Sequence, residues 1–133
     1  MSAIKDKLAR AWAADLQERL PAGHSIYPMR RDAGAEPPFS VVTVMRMKQV
    51  MPGSDAWLAE VRMVCVCDKD QGGSAEQEKR LGELYTAIEG TVPGVDWDRG
   101  VELCGFAVEE VSSAKAEKVY SDVIFITAGV ERP

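Results

Sequence analysis

The sequence has 133 residues, a hydrophobic fraction of 46%, a charged fraction of 28% and a net charge of −5 at pH 7. A chain of this length buries roughly two-thirds of its unfolded surface, so it can hold a core without disulfides or a metal. This composition excludes the disordered class. The excess of acidic residues argues against a general nucleic-acid binder, whose affinity depends on neutralising phosphates. We therefore predict one globular domain over residues 1–133.

The sequence carries no recognisable membrane or secretion signal. No apolar run approaches the roughly 20 residues that span a bilayer. The opening segment MSAIKDKLARAWAADLQ places charges every few positions, unlike the apolar stretch of a signal peptide. Three cysteines, Cys65, Cys67 and Cys104, are an odd number in a chain that can build its own core, which indicates reduced thiols in a cytosolic compartment.

Residues 3–20 are predicted to form an amphipathic helix. Apolar side chains recur there at every fourth position: Ile4, Leu8, Trp12, Leu16 and Leu20. A proline and a glycine then end the helix. Residues 24–30 (HSIYPMR) follow as a short strand, which Pro28 confines to a sheet edge. Residues 31–38 form a polar loop rich in glycine and proline.

Two long strands are predicted over residues 39–48 and 56–68, and the turn residues MPGSD join them into an antiparallel hairpin. Strict alternation places one set of the first strand's residues on the same side: Phe39, Val41, Thr43, Met45 and Met47. The second strand alternates more clearly, with one face made of Trp57, Ala59, Val61, Met63, Cys65 and Cys67. Its other face comprises Leu58, Glu60, Arg62, Val64 and Val66.

A second helix is predicted to begin at Ser74, whose side chain would form a capping box with Gln77. Glu76 and Arg80 stand four residues apart and would pair on the exposed face. The apolar face follows helical spacing: Leu81, Leu84, Tyr85, Ile88 and Val92.

Two final strands, at residues 101–111 and 119–130, flank the polar connector SSAKAEK and form a second hairpin. The predicted order is α-β-β-β-α-β-β. The simplest arrangement that buries these apolar stripes is an α+β fold, in which a single, mostly antiparallel sheet carries two helices on one face.

The predicted sheet keeps apolar residues on its second face as well. Val64 and Val66 oppose Met63 in one strand, and a similar division marks the last strand, where Tyr120, Ile124 and Ile126 oppose Val123 and Phe125. Two helices cover one face only, so the remaining apolar surface predicts oligomerisation. The alternative is that the loop at residues 31–38 or the chain ends fold over that face.

No catalytic, cofactor-binding or metal residue is predicted. The glycines of DQGGS lack the Lys-Ser/Thr ending of a P-loop. The stretch DKDQGG at residues 68–73 resembles the start of an EF-hand loop, but Lys79 occupies the position of the bidentate Glu, so a turn is favoured there and in DWDRG at 96–100. Cys65 and Cys67 are interpreted as small core residues, because a metal site needs two further ligands.

His24 is the only histidine, and nucleophilic catalysis would need it as the base. It stands beside Ser25 without a nucleophile-elbow motif, so we predict a structural histidine at the surface or partly buried. Glu109 and Glu110 are expected on opposite faces of a strand, one of them at a sheet rim or subunit contact. The sequence thus indicates a protein that is not an enzyme.

The opening helix IKDKLARAWAADLQERL, the hairpin around MPGSD, and the helix SAEQEKRLGELYTAIE with its two following strands resemble phage tail terminator or tail completion proteins, with related head–tail joining proteins. The resemblance covers nearly the whole chain in pattern and size. It implies a structural virion or prophage protein: a homohexameric ring that caps the tail tube and meets the head connector. It also implies that DNA passes through the lumen without sequence-specific binding, with assembly in the host cytoplasm and a final place in the virion tail.

Candidate subunit contacts lie in the predicted loops and on the last strand: Met51, Pro52, Asp55, Arg31, Asp32, Tyr120 and Ile124. Two other classes of function stay open. One is a small-molecule-binding or enzymatic domain with a pocket lined by Trp57, Cys65 and Tyr85. The other is an adaptor that binds a protein through an exposed edge strand.

Overall fold

A computed structural model describes residues 2–29, 37–68, 73–97, 100–115 and 119–131. Within these ranges the elements are α1 (Ser2–Arg19), β1 (Ser25–Pro28), β2 (Phe39–Gln49), β3 (Ala56–Asp68), α2 (Gly73–Glu89), β4 (Val95–Asp96), β5 (Glu102–Lys115) and β6 (Val119–Glu131). The predicted order is confirmed, with the two-residue strand β4 added before the last hairpin.

The strands form a single sheet in the order β1-β2-β3-β6-β5-β4. Both predicted hairpins, β2–β3 and β5–β6, are confirmed as antiparallel pairs. The long strands β3 and β6 pair antiparallel at the centre, whereas β1 pairs parallel with β2 at one edge. Pro28 lies in that edge strand, where its missing N–H disturbs no inner ladder.

Both helices pack on one face of this sheet, as predicted. Helix α1 lies over β1 and β2, and α2 lies over β3 and contacts α1. The predicted stripe of α1 is buried: Ile4, Leu8, Trp12, Leu16 and Leu20. The predicted inner face of β3 is buried too, from Trp57 to Cys67, and it lies beside Ile124, Ile126, Ala128 and Val130 of β6.

Strand β2 departs from the predicted alternation. The pairing with β3 shifts register between Val44 and Arg46, so Met45 is an extra residue in a β-bulge. Val42, Val44 and Met47 therefore face the core, whereas Met45 is exposed. The prediction that Phe39, Val41, Thr43, Met45 and Met47 share one side was wrong, because a bulge reverses the faces of the residues that follow it.

Helix α2 begins at Gly73, one residue before the predicted start, and the Gln77 side chain donates to Asp122 of β6 at 3.1 Å. Gln77 thus links the helix to the sheet, which replaces the predicted capping box. The Glu76–Arg80 pair is confirmed at 2.6 Å, but both side chains are mostly buried, and Arg80 also binds Glu83. Val92 lies beyond the helix end and is exposed, so it does not extend the apolar face.

Several predicted features lie outside the described residues. They are most of the loop at 31–38, residues 69–72 of the DKDQGG stretch, two residues of the DWDRG turn and the end of the SSAKAEK connector. Strand β5 itself continues to Lys115, past its predicted end at residue 111. Neither α1 nor α2, the helices of the described part of the chain, is long and apolar enough to cross a membrane.

Candidate functional site

A buried hydrogen-bonded chain links four elements through His24. The imidazole Nδ1 lies 3.1 Å from Glu83 Oε1 in α2, and Nε2 lies 2.6 Å from Ser40 Oγ in β2. Gln17 of α1 fixes the backbone here, because its side chain donates to the His24 carbonyl and accepts from the Ile26 N–H. His24 is 0% exposed, so the prediction of a surface or partly buried histidine was wrong in its exposure.

The protonation states of His24, Glu83 and Ser40 follow from the hydrogen bonds that join them. Burial lowers the pKa of His24 below its ordinary value, although the hydrogen bond to Glu83 opposes that effect. Burial tends to raise the pKa of Glu83, but hydrogen bonds from His24 and Arg80 outweigh it, so the pKa of Glu83 is lowered. A carboxylate only accepts, so Nδ1 carries the proton, and Ser40 donates its hydroxyl hydrogen to Nε2.

The resulting order, carboxylate to imidazole to hydroxyl, is the order found in hydrolytic triads. Here Ser40 and His24 both have 0% exposure, so a substrate has no access to the hydroxyl. Ser40 also lies opposite Cys65 of β3 in the sheet register. In this structure the hydrogen-bonded chain through His24 ties α1, β1, β2 and α2 together by satisfying polar groups inside the core. The sequence could not show this, because Ser40 and Glu83 lie 16 and 59 positions from His24.

Cys65 and Cys67 are confirmed as buried, free thiols, and Cys104 is free and exposed. A hydrogen bond with Cys67, together with burial, raises the pKa of the Cys65 thiol, so this thiol is protonated. Across the described part of the chain, no three His, Cys, Asp or Glu side chains converge to hold a metal ion.

Asp122 is a buried carboxylate that the sequence analysis missed. It lies opposite Cys65, and its Oδ1 accepts hydrogen bonds from Gln77 and from the Ser113 hydroxyl. The burial of Asp122 could be predicted from the sequence, because strand alternation puts residue 122 on the same face as Ile124 and Ile126. Asp122 joins α2, β5 and β6, whereas the hydrogen bonds around His24 join α2 to α1, β1 and β2.

The β2–β3 hairpin ends in an exposed apolar tip. Met51 and Pro52 open a turn in which the Ser54 N–H donates to the Met51 carbonyl at 2.9 Å, and Gly53 has φ 79°. Proline followed by a residue with positive φ defines a type II turn. This turn presents Met51 at 66% exposure beside Val50 at 56%. Asp55 is also exposed.

The other candidate contact residues fall in different places. Arg31 and Asp32 lie outside the described residues. Tyr120 is half-buried on β6. Ile124 is fully buried in the core beneath the helices, so the expectation of a surface contact at this residue is corrected. The candidate surface residues that the structure does present therefore cluster at the hairpin tip.

The predicted ligand pocket does not assemble. Trp57 and Cys65 are buried inside the packed core. Tyr85 instead lines an outer groove with Leu81 and Val111, between α2 and β5. These three predicted lining residues therefore do not face one common cavity.

The sheet face opposite the helices carries apolar residues bordered by charges. Val64, Val66 and Phe125 are half-buried there, and the Arg62 guanidinium lies 5.2 Å from the centre of the Phe125 ring. Arg62 and Phe125 also line a groove of about 250 Å³ on this face. A bulge in β5, between Val108 and Glu110, places Glu109 and Glu110 beside that groove. The prediction that these two carboxylates point to opposite faces was therefore wrong. We call this surface the open face.

Strand β5 has an outer edge that is mostly unpaired among the described residues. Strand β4 pairs only with Glu102 and Leu103. Bulges follow at Cys104 and Glu109, and Glu110 adds a further charge. Bulges and charges of this kind discourage the addition of another strand, which weakens the case for an adaptor that binds through its edge.

Comparison with known proteins relates this chain to others by fold. A scan of family models finds no match, and no curated protein matches the sequence. Among solved structures, the fold is similar to a chain in the structure described as "Virion of native gene transfer agent (GTA) particle". The TM-score is 0.58 at 16% identity, and the match covers 95% of this chain and 97% of the other. At this identity the similarity establishes a shared fold.

Proposed function

We propose that this chain is a structural protein of a phage or phage-like particle, and specifically a tail terminator that caps the tail tube as an oligomeric ring and joins it to the head. The observation that carries the proposal is the match in fold to a chain of a gene transfer agent virion, which spans nearly the full length of both chains. Its partners would be further copies of itself, the tail tube protein and the head connector.

Surface features support an assembly role. The hairpin tip exposes Val50 and Met51, two apolar side chains that contact with another chain would remove from water. The net charge of −5 suits a lumen through which DNA passes, because an acidic surface does not hold phosphates. The role needs no catalytic group, and the only triad-like arrangement described has no access to solvent.

The ring can be tested by imaging. We expect the purified protein to form rings with a central hole in negative-stain images, and the Met51→Asp variant to lose them, because a charge at the tip would have to be buried at the contact. Val92→Asp is a matched control, since Val92 is 67% exposed but lies outside the hairpin. A wild-type protein that stays without rings at high concentration, with and without purified tail tubes, would contradict the proposal.

A hydrolase is the second candidate, favoured by the hydrogen-bond order of Glu83, His24 and Ser40. A fluorophosphonate probe tests it directly, because such probes react with activated serines. We expect no labelling of the native protein, since Ser40 is inaccessible. Labelling that disappears in Ser40→Ala would instead establish a reactive serine and contradict the structural role.

A further inference from the structure

The open face carries a row of residues that is complementary to itself. Arg62 of β3 and Glu110 of β5 both lie opposite Phe125 of β6 in the sheet register. The row therefore reads positive, aromatic, negative across three adjacent strands, with Phe125 at its centre. Adjacent strands are about 4.8 Å apart, so the backbones of the two charged residues lie on either side of that of Phe125.

We propose that a second copy of this chain covers the open face, related by a two-fold axis that runs parallel to β6 through Phe125. That rotation exchanges the β3 and β5 sides of the sheet. It places Arg62 of each copy over Glu110 of the other and stacks the two Phe125 rings. Sheets packed face to face lie about 10 Å apart, a gap that one arginine and one glutamate side chain span together.

Residues in the neighbouring rows are also compatible with this two-fold axis. Val123 of one copy would face Val123 of the other. Val64 of one copy would lie over Ser112 of the other, since both pair with Val123 in the sheet. On the other side of the central row, Thr127 would face its own copy, and Glu60 would lie over Ala107. No like charges are opposed within these rows. A two-fold axis perpendicular to the strands would instead set Arg62 over Arg62 and Glu110 over Glu110, which like-charge repulsion disfavours.

The overlap covers three strands, roughly 14 Å wide and about 30 Å long for ten paired residues. That footprint is small beside the roughly 800 Å² per partner of a standard interface. We therefore expect a dimer whose formation depends on protein concentration. Its stability depends mainly on the two ion pairs between Arg62 of one copy and Glu110 of the other.

The test is a charge swap followed by sedimentation equilibrium. Arg62→Glu and Glu110→Arg each place like charges opposite one another, and each should weaken association at least tenfold. The double variant R62E/E110R should restore it. Lys48→Glu is the control, because Lys48 lies on β2, outside the three overlapping strands. A monomeric wild type, single variants that associate as wild type does, or a double variant as weak as the single ones would overturn the proposal.

This contact goes beyond the proposed ring and is separable from it. A two-fold contact closes on itself, whereas a ring needs head-to-tail contacts. Arg62→Glu should halve the mass of the wild-type assembly, whether that is a dimer or a pair of stacked rings, and should leave any ring image intact. Met51→Asp should remove rings and leave the two-fold pair. The ring and the two-fold contact can therefore be contradicted independently of each other.

Discussion

Replacing Trp12 with alanine should lower the free energy of unfolding by about 3–5 kcal/mol, the range measured for large aromatic residues in cores. Trp12 is fully buried, and its ring centre lies 5.9 Å from that of Trp97 and 5.6 Å from that of Phe106. Its Nε1–H donates to Thr91 Oγ1 at 3.1 Å. One side chain thus joins α1 to the segments that follow α2 and to β5, and urea unfolding followed by circular dichroism measures the loss.

Two controls separate packing from hydrogen bonding at this site. Trp12→Phe keeps an aromatic ring and should cost less than the alanine variant. Thr91→Val leaves the indole N–H buried without an acceptor, which should cost about 1–3 kcal/mol, and it also removes the hydrogen bond that Arg19 donates to Thr91 Oγ1. A loss below about 1 kcal/mol in Trp12→Ala would show that α1 does not pack on the sheet through this residue.

Sequence periodicity predicted the elements that are regular. The spacing of Leu8, Trp12 and Leu16 identified the buried side of α1, and the alternation of β3 identified its inner face. Both signals are local, because each depends only on the geometry of its own helix or strand. The overall order and the placement of both helices followed from these stripes.

The irregular positions could not be predicted in the same way. The bulges near Met45 and Glu109 arise from pairing with the neighbouring strand, and no local residue pattern marks them. The buried chain through His24 needs residues from α2 and β2, so it exists only once the core has closed. For the same reason the sequence places Ser25 next to His24, whereas the folded protein pairs His24 with Ser40.

Replacing His24 with alanine should lower the free energy of unfolding by about 3 kcal/mol and remove part of its pH dependence. The variant leaves the buried Ser40 hydroxyl without an acceptor and Glu83 without one donor, and each loss costs about 1–3 kcal/mol. Ser40→Ala is the control: it removes one hydrogen bond but keeps the titrating imidazole. Its cost should therefore be smaller, and its pH profile should follow that of the wild type.

The sign of the pH effect follows from the lowered pKa of His24. Above about pH 6.5 the imidazole is neutral in both the folded and the unfolded chain, so stability does not depend on it. As the pH falls below about 6.5, the unfolded chain binds a proton that the folded chain resists, and stability is lost by up to about 1.4 kcal/mol per pH unit until the folded pKa is reached. The lowered pKa of Glu83 affects stability in a separate range, below about pH 4.5.

The free energy of unfolding, measured between pH 7 and pH 5, should therefore fall in the wild type and in Ser40→Ala but change less in His24→Ala. Parallel profiles for all three proteins would show that His24 titrates as an exposed residue does, and that the buried chain is not closed in solution.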